Sequence, residues 1–132
     1  MEALLYESLK DRKVHCRLCA HHCKVDNGQA GICQVRINRR GRLETLVYGK
    51  LVARNVDPIE KKPLFHYLPG SRSFSIATVG CNFKCRFCQN ADIAQLPAER
   101  KGLIIGEQVA PEAVVAEALA AGCASIAYTY TE

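Results

Sequence analysis

Three closely spaced cysteines are the residues of this chain with the clearest capacity for chemistry. The run Cys81-x3-Cys85-x2-Cys88 places three thiols within one short stretch. Cysteine thiolates hold iron–sulfur clusters, and a cubane cluster has four irons, so three protein ligands leave one iron open. An open metal position is what separates catalytic metal sites from closed structural ones. The spacing therefore predicts a [4Fe–4S] cluster that can bind a small molecule.

A buried helix is the alternative explanation for the same spacing. Positions 81, 85 and 88 would lie on one helical stripe, and cysteine packs well as a small apolar residue. Gly80 and Asn82 are poor residues for a helix interior, however, and residues 73–79 alternate in the manner of a strand. We therefore expect a cysteine loop that directly follows a strand.

A second group of cysteines stands near the N-terminus. Its four members are Cys16, Cys19, Cys23 and Cys33. Four thiolates could close a tetrahedral zinc site or hold an auxiliary iron–sulfur cluster, and the spacing does not decide between them. His15, His21 and His22 could each replace a thiolate, but a role around the metal or at the surface is the more usual one. Buried cysteines without a metal are the other alternative.

The compartment follows from the eight cysteines and from the first residues of the chain. Residues 1–7 are acidic and lack the basic and apolar regions of a secretion signal. Clustered cysteines in a reducing compartment are metal ligands more often than disulfides, so we expect a cytoplasmic protein. No apolar stretch approaches the length of a membrane span. The net charge of +5 comes from scattered basic residues, so binding to nucleic acid is not expected.

The elements that must position these residues divide the chain into three parts. Residues 1–45 form a predicted cysteine-rich metal-binding module, residues 46–72 a connecting segment and residues 73–132 the start of an α/β barrel. In the last part, strand 73–79 leads into the cysteine loop, and residues 89–95 form a helical turn or two that Pro97 ends. A helix follows from Pro111 to Ala121, and Gly122 caps it before strand 124–130. The two strands should be parallel.

Two candidate sites then fall at the same end of the predicted sheet. Active sites of α/β barrels lie on loops that follow the carboxyl ends of the strands. The Cys81–Cys88 loop follows the first strand, and Thr131 and Glu132 follow the second. A full barrel needs about 250 residues, so two strands predict only a partial barrel, which we do not expect to be active alone.

The cysteine run resembles the signature of the radical S-adenosylmethionine (SAM) enzymes. Phe87 stands before the last cysteine, where that family has an aromatic residue near the adenine of SAM. Residues 130–132 are similar to the family's strand-two motif near the amino group of SAM, with Thr131 where glycine is common and Glu132 as the carboxylate. The resemblance implies a [4Fe–4S] cluster, SAM as cofactor and cleavage of SAM to a 5′-deoxyadenosyl radical. It also implies a reducing electron donor such as flavodoxin or ferredoxin.

A narrower resemblance covers nearly the whole chain. Residues 58–66, 68–71 and 128–132 are similar to the radical SAM member of the AmmeMemoRadiSam group, which is like the activating enzymes of pyruvate formate-lyase. The substrate, a small molecule or a protein, is left open by that resemblance. Two other functions are consistent with the residues alone: a non-catalytic zinc-binding module, and a basic zinc knuckle that binds RNA. Zinc without iron at Cys81, Cys85 and Cys88 would exclude the enzyme, and nucleic-acid binding that falls steeply with salt would favour the RNA-binding knuckle.

Overall fold

The computed structural model describes residues 1–131, and Glu132 lies outside the described residues. Its helices are short, and most of its strands belong to small sheets. Within residues 1–131 the strands are β1 (Tyr6–Ser8), β2 (Val14–Cys16), β3 (Lys24–Val25), β4 (Arg36–Arg39), β5 (Arg42–Thr45), β6 (Lys50–Leu51), β7 (Ala53–Pro58), β8 (Arg72–Ala77), β9 (Glu107–Gln108) and β10 (Ser125–Tyr128). The helices are α1 (Ala91–Ala94), α2 (Leu96–Glu99) and α3 (Pro111–Ala120), with single 3-10 turns at Lys10–Arg12 and Ile59–Lys61.

The chain forms two units that alternate along the sequence. The first unit combines residues 1–48 with residues 79–104 and residue 131, and the second combines residues 49–78 with residues 105–130. The expected order of three consecutive parts differs from this arrangement. The predicted connecting segment 46–72 contains β6 and β7, and β7 is a full partner in a sheet.

The first unit contains a three-stranded sheet and a hairpin. In the sheet β1 pairs with β2, and β2 with β3, all antiparallel, while β4 and β5 form the hairpin. Apolar side chains from both pack into one buried cluster, whose members are Ala3, Val14, Cys16, Val25 and Leu43. One predicted metal ligand, Cys16, is therefore part of this core.

The second unit is built on the central strand β8. The strand pairs in parallel with β10 on one side and antiparallel with β7 on the other. Five consecutive residues of β8 are buried, as expected for a strand with neighbours on both edges and cover on its faces. Helix α3 contributes Val114 and Ala118 to a core that also contains Phe74 and Ile76 of β8.

Most elements expected for residues 73–132 are present at nearly the expected positions. The parallel pairing of β8 with β10 agrees with the predicted β-loop-α-β unit, and Pro111 occupies the first turn of α3. Gly122 has a φ of +64°, the left-handed conformation that favours glycine after a helix. The helical turn expected over residues 89–95 is α1, which ends at Ala94, and a second short helix that was not expected, α2, follows it. Pro97 lies in the first turn of α2, where its missing N–H costs no hydrogen bond.

The predicted barrel is a mixed α/β sheet in the described residues. Residues 1–131 supply one parallel pair of strands, and the second edge of β8 is occupied by the antiparallel β7 over six residues. The barrel itself stays a prediction.

Candidate metal centres

The four N-terminal cysteines line one cavity of the first unit. Cys16 ends β2, Cys23 precedes β3, and Cys19 and Cys33 lie in turns. The cavity is bounded by Cys16, Leu18, Cys19, His21, Cys23, Val25, Gly31, Ile32, Cys33, Arg36, Leu43 and Asn82. The fold thus collects donors that are spread over 18 positions of the sequence.

Backbone contacts explain how these cysteines come together. The N–H of Cys16 donates to the carbonyl of Cys23 at 2.9 Å, and the N–H of His22 donates to the carbonyl of Cys19 at 3.1 Å. Gly31 packs beside Cys23, since a Cβ on it would be in ordinary van der Waals contact with the Cys23 Sγ, at 3.7 Å. The fourth thiol, that of Cys33, enters the cavity on this turn.

The walls of the cavity suit a thiolate metal site. Leu18, Val25, Ile32 and Leu43 provide apolar surface, and the one guanidinium is that of Arg36, which donates from Nη1 to the Cys33 Sγ at 3.8 Å. A cation beside sulfur favours the thiolate, which is the form that binds metal. The donor set therefore fits zinc or an iron–sulfur cluster.

The sulfur atoms are gathered but do not converge on one point. Among residues 1–131, no three His, Cys, Asp or Glu side chains are close enough to hold a metal ion as they stand. A metal at either cysteine group would therefore need positions of these side chains other than those in this structure.

The Cys81–Cys88 segment is a loop, as expected, and not a buried helix. Residues 78–90 contain no helix, and α1 begins only at Ala91. Gly80 turns the chain with a φ of +89° directly before Cys81. Cys85 is exposed, whereas Cys81 and Cys88 are half-buried. A helical stripe that packs in a core would have buried all three.

Local hydrogen bonds shape this loop around its first and last cysteines. The Phe83 N–H donates to the Cys81 Sγ at 3.4 Å, and the Cys88 N–H donates to the carbonyl of Cys85 at 3.3 Å. Gln95, which follows α1, donates from Nε2 to the carbonyl of Phe83 at 3.0 Å. The backbone of the loop is therefore wrapped around the Cys81 sulfur.

Two of the residues expected to contact SAM, Phe87 and Thr131, differ in their exposure to solvent. Phe87 is 88% exposed, so its ring is open to a ligand and takes no part in a core. Thr131 is half-buried after β10. The expectation for Glu132 concerns a residue outside the described part of the chain.

One buried polar cluster of the second unit was missed by sequence reasoning. Asp57 on β7 accepts hydrogen bonds from Lys61 at 2.8 Å, from Lys62 at 2.7 Å and from the Ser75 hydroxyl at 2.6 Å. The Tyr130 hydroxyl also donates to it. Burial would raise the pKa of Asp57, but these hydrogen bonds outweigh it and hold that pKa well below its usual range.

The sequence did contain a signal for this cluster. Lys61 and Lys62 belong to residues 58–66, and Tyr130 belongs to residues 128–132, two of the stretches that carry the narrower resemblance. Asp57 stands directly before the first of them. What the sequence could not show is that strand pairing joins the two stretches.

Comparison with known proteins gives one informative match. The chain is 44% identical over 131 residues to an uncharacterized protein of Methanocaldococcus jannaschii. The match covers 99% of this chain and 38% of that protein, so the chain spans well under half the length of this relative. No family profile and no solved structure matches. In the part of the chain that the structure describes, no helix has the length and apolar character needed to cross a membrane.

Proposed function

We propose that this chain is the cluster-binding part of a radical SAM enzyme. The observation that carries the proposal is the placement of Cys81, Cys85 and Cys88 on a loop that follows the central strand of a parallel β8–β10 pair. This is the end of a sheet at which α/β proteins place their chemistry.

The role proposed for each residue is the one that the resemblance implies. Cys81, Cys85 and Cys88 would hold three irons of a [4Fe–4S] cluster and leave the fourth for SAM. The cluster, when bound, supplies the electron that cleaves SAM to methionine and a 5′-deoxyadenosyl radical. The exposed ring of Phe87 would lie against the adenine, and Thr131 and Glu132 would contact the amino group. The electron would come from a reduced donor such as flavodoxin or ferredoxin, and the substrate is a small molecule or a protein.

The test is cluster assembly in single-cysteine variants. We expect Cys81→Ser, Cys85→Ser and Cys88→Ser each to lose the iron and sulfide of this cluster, about four of each per chain, after anaerobic reconstitution. Each should also lose the change in the electron paramagnetic resonance spectrum that SAM causes in the reduced wild type. Cys123→Ser is the matched control, because Cys123 packs against the core of the second unit and belongs to neither cysteine group.

The contrary results are equally definite. Full iron and sulfide in the Cys85→Ser variant, or zinc without iron in the wild type, would exclude a radical SAM cluster at this loop. The second result would favour a non-catalytic zinc-binding module, the function suggested by the cavity that the four N-terminal cysteines line.

A further inference from the structure

The N-terminal cysteine cavity and the Cys81 loop share a boundary within the first unit. Asn82, the residue after Cys81, lines the cavity together with the four N-terminal cysteines. The Nε2 of His21 lies 2.8 Å from the carbonyl oxygen of Asn82. His21 and Asn82 are 61 positions apart in sequence, so this contact fixes the loop to a distant part of the chain.

The chemistry of His21 makes this contact relevant to a metal. A carbonyl oxygen only accepts, so Nε2 carries the hydrogen of this bond, and in a neutral ring the lone pair would then be at Nδ1. Histidines that bind metal through one nitrogen usually donate from the other to a carbonyl or carboxylate. His21 therefore has the hydrogen bond of a metal-binding or metal-adjacent histidine, and its acceptor belongs to the cluster loop.

Gly80 provides a second contact on the other side of Cys81. A Cβ at this position would lie 2.8 Å from the carbonyl oxygen of Cys33 and would collide with the Val35 side chain. The backbone before Cys81 thus packs directly on residues 33–35, and Cys33 is one of the four N-terminal thiols. Cys81 therefore lies between two residues that contact the N-terminal module: Gly80 packs on residues 33–35, and Asn82 contacts His21.

We infer that a metal centre held by Cys16, Cys19, Cys23 and Cys33, with His21 beside it, orders the Cys81–Cys88 loop for cluster binding. Metal binding restricts the positions of Cys33 and His21, and through Gly80 and Asn82 it restricts the residues on both sides of Cys81. The two sites are then coupled in free energy, and the coupling is reciprocal. The ordering of the loop by a metal is independent of the proposed function, whereas the use of the loop for a [4Fe–4S] cluster rests on it.

The first experiment measures loop order without any cluster. In the Cys81→Ser/Cys85→Ser/Cys88→Ser protein, added Zn²⁺ has only the N-terminal thiols as a cysteine-rich site, apart from the lone Cys123. We expect bound Zn²⁺ to slow amide hydrogen exchange at residues 79–90 by about fivefold or more, the lower end of usual coupling between sites. His21→Ala should bind Zn²⁺ with reduced protection of this segment.

His22→Ala is the matched control for His21→Ala. His22 is also exposed, and its ring contacts that of His15, with 5.9 Å between the centroids. This variant should keep the zinc-dependent protection. Two results would overturn the inference. One is that the triple-serine protein with His21 intact binds no Zn²⁺, and the other is that it binds Zn²⁺ without a change in amide exchange at residues 79–90.

The second experiment follows the loop cluster in the reconstituted protein with all cysteines of that loop present. Cys19→Ser should lose the Cys81–Cys88 cluster to an iron chelator about fivefold faster or more than the wild type does. Metal analysis then tells whether the N-terminal site contains zinc or iron. If the wild type forms no cluster at the loop, the proposed function fails but the zinc-dependent ordering stands. If the cluster forms and Cys19→Ser has no effect, the coupling fails alone.

Discussion

At the residue scale, the second unit contains two charged side chains, those of Asp57 and Lys62, in surroundings largely closed to water. Asp57 is a buried carboxylate, and it is kept charged by two lysines and two hydroxyls. The two lysines are not equivalent, since the side chain of Lys62 is 10% exposed and that of Lys61 is 58% exposed. The Lys62 ammonium also lies 4.9 Å from the centre of the Tyr130 ring. Without Asp57, the ammonium of Lys61 could still be solvated by water, whereas that of Lys62 would be largely shielded from it.

Asp57→Asn tests this dependence. The amide leaves the buried ammonium of Lys62 without a counter-charge, and the loss of one partner of a buried ion pair costs about 3–5 kcal/mol. We expect the free energy of unfolding at neutral pH, measured in urea, to fall by that amount. Asp26→Asn is the control. Asp26 pairs with Lys13 at 2.8 Å at the surface, where water and salt screen the pair, so its loss should cost far less than that of Asp57.

The same carboxylate predicts a direction for the pH dependence. The pKa of Asp57 is lower in the folded state than in the unfolded chain. Its contribution to stability is therefore fully present above the unfolded pKa, about 3.9, and decreases as the pH falls below that value toward the folded pKa. Urea unfolding of the wild type between neutral pH and pH 3 should show this loss, and Asp57→Asn should show less of it. Equal slopes for both proteins would contradict the assignment.

At the element scale, α3 shows how burial and not helical propensity sets the packing of the second unit. Val114 and Val115 are neighbours on one helix, but Val114 is 7% exposed in the core and Val115 is 48% exposed. The helix covers β8 through Val114 and Ala118. Arg54 of β7 connects further elements, because its Nη1 donates to Glu117 of α3 at 2.8 Å and it also pairs with Glu107 of β9. The helix is thus held by apolar contacts below and an ion pair at its side.

Val114→Ala and Val115→Ala form a matched pair for this packing. Removal of two buried methyl groups at position 114 should lower the free energy of unfolding by about 2 kcal/mol. The same change at position 115 should leave it unchanged or raise it slightly, because alanine is the better helix former. Thermal or urea unfolding of the two variants gives the comparison. Similar losses at both positions would mean that α3 is not packed as described.

The sequence predicted these elements best where local signals were strong. Pro111, the alanine-rich stretch after it and Gly122 mark both ends of α3, and the observed helix differs from the expected one by a single residue. β7 was missed because Pro58 and the residues after it suggested a connection, and because its pairing partner β8 is distant in sequence. Alternation within a short segment does not show which strands will pair. The loop character of residues 81–88 was predictable, since Gly80 and Asn82 disfavour a helix.

At the scale of the whole molecule, the chain alternates between two units, each with a buried cluster of its own. The first cluster contains Val14 and Leu43, and the second contains Phe74 and Val109. Both cysteine groups fall in the first unit, although the sequence separates them. Spacing within each cysteine group was visible in the sequence. That residues 80 and 82 contact the N-terminal module was not, because no local pattern records a contact over such a separation.

We therefore expect metal binding to stabilise the first unit more than the second. Since a metal that binds only the folded state stabilises the region that forms its site, Zn²⁺ should slow amide exchange in residues 1–48. The amides of β8 and β10 in the second unit should keep their rates. Hydrogen exchange with and without Zn²⁺, resolved along the chain, measures both. Uniform protection of both units would show that the metal stabilises the molecule as a whole, contrary to this expectation.

The contact of Gly80 with the Cys33–Val35 segment also has a consequence for biosynthesis. Val35 and Gly80 are 45 positions apart, which corresponds to roughly 2–9 s of translation at ordinary ribosome speed. The N-terminal thiols thus leave the ribosome seconds before the Cys81 loop does. During that interval they are open to metal and to oxidants, while the segment that will cover them is still being made. If the N-terminal thiols bind a metal as inferred above, the order of synthesis lets them do so before the Cys81 loop has been made.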